Sequence, residues 1–359
     1  MSKETKSKNQ AVGQALVVWY QTAKRDLPWR RTQEAYPIWV SETMLQQTRV
    51  DTVIPYYHRF LERFPTAESL AEATEEDVVG LWQGLGYYSR ARNLQAGVRE
   101  MVTSYGGKLP KERASLEKLR GVGPYTAGAL LSLVYNLPEA AVDGNVFRVV
   151  TRLMALPDEI DKPQNRRIVT DYVLSIMPEG KASDFNQALM ELGATVCSPR
   201  SPQCMFCPVQ VYCQAYEEAN PEEFPKKKSS KPPTPVRVVA GVLFQDGQVL
   251  LRKRPAKGLL AGMWEFPSME LDEKENSKDL AAVQSVFSEV GIKCTTGELL
   301  YGVEHIFSHR KWELLAYKME EGLLPKELPE NWAWFDWGDP KDILWAGPHG
   351  RIAQLLVTG

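Results

Sequence analysis

Apolar residues recur at helical spacing through residues 11–20, and residues 39–50 read as a helix that ends before Pro55. Two further helical stretches are expected before residue 81. A turn at 121–124 opens a helix at Pro124, a second helix starts at Val142-Asp143-Gly144, and another lies near 184–193. The far end of the chain has a different texture. Residues 236–244 read as a strand, Asp246-Gly247 as a hairpin turn and 249–254 as its partner. Between these regions, residues 215–235 are rich in Glu, Lys, Ser and Pro and read as a linker. A multidomain chain is expected, with a helical domain over 1–217, a linker over 218–235 and an α/β domain over 236–359.

The length of 359 residues and 43% hydrophobic content allow a core in each domain. No apolar run approaches the roughly 20 residues needed to span a bilayer. The first ten residues are polar, with no signal-peptide core behind them, so a cytoplasmic protein without membrane contact is expected. Net charge is -2, unevenly spread: 14 basic residues face 18 acidic ones from Val236 onward, which leaves the first 235 residues slightly basic. A nucleic-acid face there would rest on locally placed arginines and backbone amides rather than bulk charge. Four of the five cysteines fall between Cys197 and Cys213, which suggests a metal centre in a reducing compartment more than disulfides. Cys294 reads as a small buried hydrophobe.

Several segments carry candidate chemistry. Gly121 and Gly123 bracket Val122 before Pro124, so a short turn can offer bare amides and a helix N-terminus to a phosphate. Taken alone, the motif fits an ordinary helical corner better. The run from Arg25 through Trp29 to Arg30 suits phosphate contact and stacking, although a half-buried indole beside surface arginines is the more frequent meaning of such a run. If Ser41 or a neighbour caps its helix, Glu42 sits in the first turn. It is then a dipole partner or, in an apolar pocket, a general acid with a raised pKa. Leu85 lies between Gly84 and Gly86 and precedes Tyr87 and Tyr88, a pattern that suits a wedge entering a duplex and, equally, a core turn with packed aromatics. Asp143 before Gly144 fits a plain N-cap as its bland reading. Cys197-x6-Cys204-x2-Cys207-x5-Cys213 can hold an iron-sulfur cluster or zinc, although a zinc ribbon would show two matched pairs.

In their order and spacing, these motifs resemble the helix-hairpin-helix plus aspartate signature of base-excision DNA glycosylases. Nearly the whole chain is similar to MutY-type adenine DNA glycosylases, which join an all-α helix-hairpin-helix core with a four-Cys iron-sulfur loop to an α/β Nudix-like domain. The resemblance implies that Glu42 protonates the leaving adenine, that Asp143 stabilises an oxocarbenium-like sugar, and that Asn145 orients either that carboxylate or the sugar phosphate. Tyr125 stands where bifunctional relatives carry a Schiff-base lysine, which implies a monofunctional enzyme using water. Implied adenine contacts are Arg25, Trp29, Arg30, Leu45, Val50 and Gln187. Contacts to the opposite base and the duplex fall to Gln47, Thr48, Leu85, Tyr87, Gly121, Gly123 and Arg200. Cys197, Cys204, Cys207 and Cys213 would hold a [4Fe-4S] cluster.

In the second domain the resemblance gives recognition of 8-oxoguanine to Phe307, Ser308 and His309, on a loop or strand end expected to face the first domain. The implied partner is double-stranded DNA containing 8-oxoguanine:adenine or guanine:adenine mispairs, met by a bacterial, nucleoid-associated monomer. The domain departs from a working Nudix hydrolase. Where an Arg-Glu-x-x-Glu-Glu helix would anchor Mg²⁺, residues 284–289 read Gln284-Ser285-Val286-Phe287-Ser288-Glu289, with one carboxylate left, so a binding module is expected. Two rival readings remain. An endonuclease III-like glycosylase for oxidised pyrimidines sits poorly with Tyr125 and the added domain, and a non-catalytic DNA-binding redox sensor would need neither Glu42 nor Asp143.

Overall fold

The computed structural model describes residues 3–156, 163–218, 220–226, 232–271, 279–307, 309–338 and 343–358. The chain splits into two compact units, Met1–Ser229 and Ser230–Gly359.

The helical unit is built on two hydrophobic clusters. Helices α2 (Ala35–Leu45), α3 (Val50–Arg63), α4 (Ala67–Glu72), α5 (Glu75–Leu81), α6 (Ser89–Tyr105), α7 (Arg113–Leu116) and α8 (Pro124–Tyr135) bury Trp39, Met44, Phe60, Trp82, Leu94 and Leu130 in the first. The second gathers α1 (Lys3–Ala23), α9 (Gly144–Leu153), α10 (Pro163–Ile176) and α11 (Ala182–Thr195) around Leu16, Phe147, Val173, Phe185 and Leu189. The first helix thus joins the last ones, because Val12, Leu16 and Tyr20 form an apolar stripe at helical spacing that packs on α10 and α11. The short helix α12 (Gln214–Glu217) follows the cysteines.

Three sequence expectations change here. The helix expected over 39–50 is α2, which ends at Leu45; Gln46 leaves the helical region and Gln47 turns left-handed (φ 59°) before α3 begins at Val50. Pro55 lies inside α3 rather than beyond a helix end. Between α2 and Trp82 there are three helices instead of two. The start of the expected linker also packs on the helical unit, where Phe224 is buried and its carbonyl accepts from Arg152 Nε at 3.0 Å.

In the second unit, β1 (Thr234–Gln245), β2 (Gln248–Lys253), β3 (Trp264–Glu265), β4 (Ser268–Leu271), β5 (Lys293–Ile306), β6 (Arg310–Leu323) and β7 (Trp332–Asp336) form a mixed sheet. Its order is β3-β2-β1-β6-β5, with β4 paired to β1 and β7 to β2. β1 and β6 run parallel and the other pairs antiparallel. Asp246 and Gly247 both take positive φ (49° and 78°), as a two-residue hairpin of this hand requires. Helix α13 (Asp279–Ser288) contributes Val283, Val286 and Phe287 to one apolar cluster, and α14 (Gly347–Thr358) contributes Ile352 and Ala353 to the other.

Candidate active site

Every candidate of the helical unit except Leu85 and the cysteines lines one cleft of about 1850 Å³. Glu42 sits at its floor. Helix α2 is apolar on almost all sides, so a carboxylate placed there is carried into the interior, and Glu42 is only 5% exposed. Ser41 does not cap the helix; its hydroxyl bonds back to Ile38 O at 2.8 Å, and Glu42 lies two turns in. The dipole therefore gives it no help, and burial pushes its carboxyl up to about 7. The Tyr125 hydroxyl opposes that rise, the Asp143 charge adds to it, and Arg30 opposes it.

Tyr125 is the second residue of α8, directly after Pro124, so the turn at Gly121–Pro124 and this phenol are placed by the same backbone. Its hydroxyl donates to Glu42 Oε2 at 2.6 Å. Burial holds the phenol well above its usual pKa, reinforced by Glu42 and Asp143, so it stays a neutral donor.

Asp143 caps α9. Val146 N donates to Oδ1 at 2.7 Å and Asn145 Nδ2 to Oδ2 at 3.0 Å. Burial raises its carboxyl, while these two donors and Arg148 pull it back. Both the N-cap and the orienting Asn145 expected from sequence are present in one arrangement. Arg148 is a residue that the sequence reading misses. Its Nη2 donates to Asn145 Oδ1 (2.9 Å) and Gly193 O (2.7 Å), and its Nε to Cys197 O (2.8 Å). Gly193 has to be glycine here, since a Cβ would stand 2.6 Å from that of Asn145.

A second missed residue shapes the wall. Glu191 has a fully buried side chain that accepts from Arg25 Nε (2.8 Å), Arg25 Nη2 (2.9 Å), the Arg25 amide (3.0 Å) and Arg30 Nη2 (2.8 Å). Burial alone would raise its carboxyl, but these donors bring it down to about 2. Arg25 and Arg30 thus line the cleft while anchored to Glu191. One sequence signal points to it: Glu191 follows Gln187 by four residues on the same helix face. Gln187 accepts from Tyr20 Oη at 2.9 Å. Trp29 is buried edge-on against Tyr57, and Leu45 and Val50 line the cleft partly buried.

At the rim, Gln47 and Tyr87 are exposed, Thr48 is half-buried, and Gly121 has φ 80° with its missing Cβ directed at Asn93. Gly123 is the N-cap of α8, and Arg200 also borders the cleft. Leu85 corrects the wedge expectation. It is 7% exposed and packed in the first cluster, because the turn points its apolar side chain inward and leaves Tyr87, 49% exposed, as the outward one.

The four clustered cysteines form no disulfide. Among the described residues, no group of His, Cys, Asp and Glu forms a compact single-ion site. Cys197, Cys207 and Cys213 pack against the second cluster. Arg152 Nη1 approaches Cys197 Sγ at 3.3 Å. Burial pushes the Cys207 thiol up to about 12, and its three partner thiols act on it as well. Four sulfur donors close in sequence, one of them beside the Arg152 guanidinium, are of the ligand type that binds iron-sulfur clusters.

In the second unit, Phe307 follows the end of β5. Its ring packs between His305 (4.5 Å between centroids) and Trp312 (5.2 Å), and its amide donates to Arg310 O. His309 O accepts from Thr234 N. Ser308 lies outside the described residues. The helix read from sequence as stripped of metal ligands is α13, which ends at Ser288, just before Glu289.

Comparison with known proteins adds to this geometry. Residues 40–173 match the model of the HhH-GPD superfamily base excision DNA repair proteins, and residues 238–355 match the NUDIX domain. The adenine DNA glycosylase of Mus musculus is 36% identical, over 90% of this chain and 73% of its own length. That of Homo sapiens is 38% identical over 87% and 67% respectively. Among solved structures, a thermostable thymine-DNA glycosylase superposes with a TM-score of 0.54 at 28% identity, covering 60% of this chain and 99% of its own. Among the described residues, no helix is long and apolar enough to cross a membrane.

Proposed function

The chain belongs to the adenine DNA glycosylases and is a DNA N-glycosylase of base excision repair; from that premise we propose that it removes adenine mispaired with 8-oxoguanine or guanine, as a monofunctional enzyme. The observation that carries the reading is the pairing of a buried, raised-pKa Glu42 with Asp143 across one cleft.

Glu42 gives its proton to a ring nitrogen of the extruded adenine, and the N-glycosidic bond breaks with its electron pair going to the base. Asp143, fixed by the Val146 amide and Asn145, faces the positive charge that develops on the sugar. Water then adds to C1′ and its proton returns to the Glu42 carboxylate. Tyr125 keeps that carboxyl oriented and offers no amine, so no imine forms at this position. The walls made by Trp29, Leu45, Val50 and Gln187, with Arg25 and Arg30 anchored on Glu191, receive the base. Gln47, Thr48 and Tyr87 meet the duplex, and the amides at Gly121–Gly123 together with Arg200 meet its phosphates.

Cys197, Cys204, Cys207 and Cys213 would hold a [4Fe-4S] cluster, which when bound ties the segment carrying Arg200 to the second core. Phe307, Ser308 and His309 read the N7 and C8 edge that distinguishes 8-oxoguanine from guanine. The protein acts as a monomer on double-stranded DNA. The experiment that tests the reading uses duplexes differing only in the mispair, scored for abasic sites before and after alkali. Excision of adenine opposite 8-oxoguanine or guanine, with strand breaks only after alkali, is expected. Preferential release of an oxidised pyrimidine would overturn it.

A further inference from the structure

Arg90 is the second residue of α6, and its guanidinium is turned inward, leaving the residue 9% exposed. Its Nη1 donates to Thr43 O (2.9 Å), Met44 O (2.9 Å) and Gln46 O (2.5 Å), carbonyls at and just past the end of α2, where intrahelical donors run out. Its Nη2 donates to Thr48 Oγ1 (3.1 Å) and to Gly86 O (3.2 Å) and Leu85 O (3.4 Å) of the other rim turn. The same cation stands 5.5 Å from the Trp82 ring and 5.6 Å from the Tyr87 ring. Only a flat fork with donors on both sides can hold two backbone turns at once.

Each turn carries one exposed residue in the left-handed region, Gln47 at φ 59° and Tyr87 at φ 49°. Side-chain-bearing residues hold that conformation only where their surroundings over-determine it. Both residues border the cleft. The hydrogen bonds made by Arg90 supply that determination for both turns from a single group.

We propose that Arg90 is a positioning residue that locks the 46–48 and 85–87 turns together, so that Gln47 and Tyr87 meet the duplex as one coupled probe. The inference rests on the reading of these two residues as DNA contacts. Coupling of this kind is lost when the guanidinium is replaced by an ammonium, which cannot reach both turns.

The test is a double-mutant cycle of Gln47→Ala and Tyr87→Ala in the full chain, reading the Kd for a guanine:adenine duplex, repeated in an Arg90→Lys background with the thermal midpoint measured alongside. With Arg90 present, the two losses should be non-additive by about three- to tenfold. In a folded Arg90→Lys protein, they should multiply to within about twofold. Additive losses in the Arg90 protein would sink the clamp while leaving the DNA-contact reading intact, and coupling that persists in Arg90→Lys would sink it too. If neither alanine substitution changes affinity, both the contact reading and the clamp fall. Should Arg90→Lys not fold, Arg90→Gln, which keeps a donor for one turn only, takes its place in the cycle.

Discussion

The Tyr125 hydroxyl donates to Glu42 Oε2 at 2.6 Å, a bond that favours the charged carboxylate inside a site whose burial disfavours it. The two influences pull the Glu42 pKa in opposite directions, and burial wins. Tyr125→Phe removes the opposing one. The pKa of Glu42 should then climb above about 7, and the high-pH limb of the excision rate should move to higher pH. Single-turnover excision across the neutral range, followed well to either side of that value, checks this; an unmoved limb would separate that limb from Glu42.

Glu42→Gln should abolish excision and change the pH dependence of stability. In the folded chain Glu42 titrates near 7, against an ordinary value of 4.5. Its contribution is therefore fully present below about 4.5 and is lost as pH rises through about 7. Glutamine cannot ionise, and its carbonyl can still accept from Tyr125. Relative to the parent, the variant should gain about 1–3 kcal/mol between about pH 5 and about pH 8, read by urea unfolding at both pH values.

For Asp143→Asn, fold and chemistry should part company. Asparagine keeps the cap to Val146 N but turns an NH₂ onto the Asn145 NH₂ and loses that bond, so stability should fall by only about 1 kcal/mol with the fold intact. Excision should fall by on the order of a thousandfold because the charge facing the sugar is gone. Binding to mispaired duplex, measured in parallel, should survive; excision at the parent rate would remove Asp143 from the chemistry.

Iron and sulfide should each be found at about four per chain in protein purified without air, and Cys207→Ser should lower both. Stoichiometric zinc in protein made with ample iron would contradict the cluster. Arg200, carried on the same loop, gives a second readout, since loss of iron should cost duplex affinity and flatten its dependence on salt as one phosphate contact disappears.

Replacing Phe307, Ser308 and His309 together by alanine should reduce the preference for 8-oxoguanine:adenine over guanine:adenine by roughly tenfold. Equal losses on both substrates would assign the segment to domain stability instead, which the packing of Phe307 against Trp312 makes a fair competitor.

How much of this is legible in the sequence depends on whether a residue's role is local. Gly121, Gly123 and Pro124 announce a turn and a helix start through backbone preference alone, and Asp143 before Gly144 announces a cap. The Asp246-Gly247 hairpin is equally local. Glu191 and Arg90 are of another kind. A buried carboxylate that needs two arginines more than 160 residues earlier, and a guanidinium that ties the adjacent 85–87 turn to carbonyls more than 40 residues earlier, are defined by tertiary partners that no local window of sequence contains. The same holds for Leu85. Two flanking glycines mark a turn, but which of Leu85 and Tyr87 points outward is decided by the left-handed φ at Tyr87 and by the apolar cluster that takes in Leu85. Sequence misplaces Glu42 along its helix because Ser41 has the chemistry of a cap, whereas its hydroxyl is spent on a carbonyl one turn back.

Glu42 is carried by a helix rooted in the first apolar cluster, and Asp143 caps a helix rooted in the second. The two carboxyls of the proposed chemistry therefore sit where the two clusters meet, and sub-global opening between cooperative units costs less than global unfolding. Gentle heating or dilute denaturant should slide acid and carboxylate out of register while both clusters are still intact. Catalytic competence would then fade at temperatures where circular dichroism still reports undiminished helix, and it would return on cooling without any refolding step.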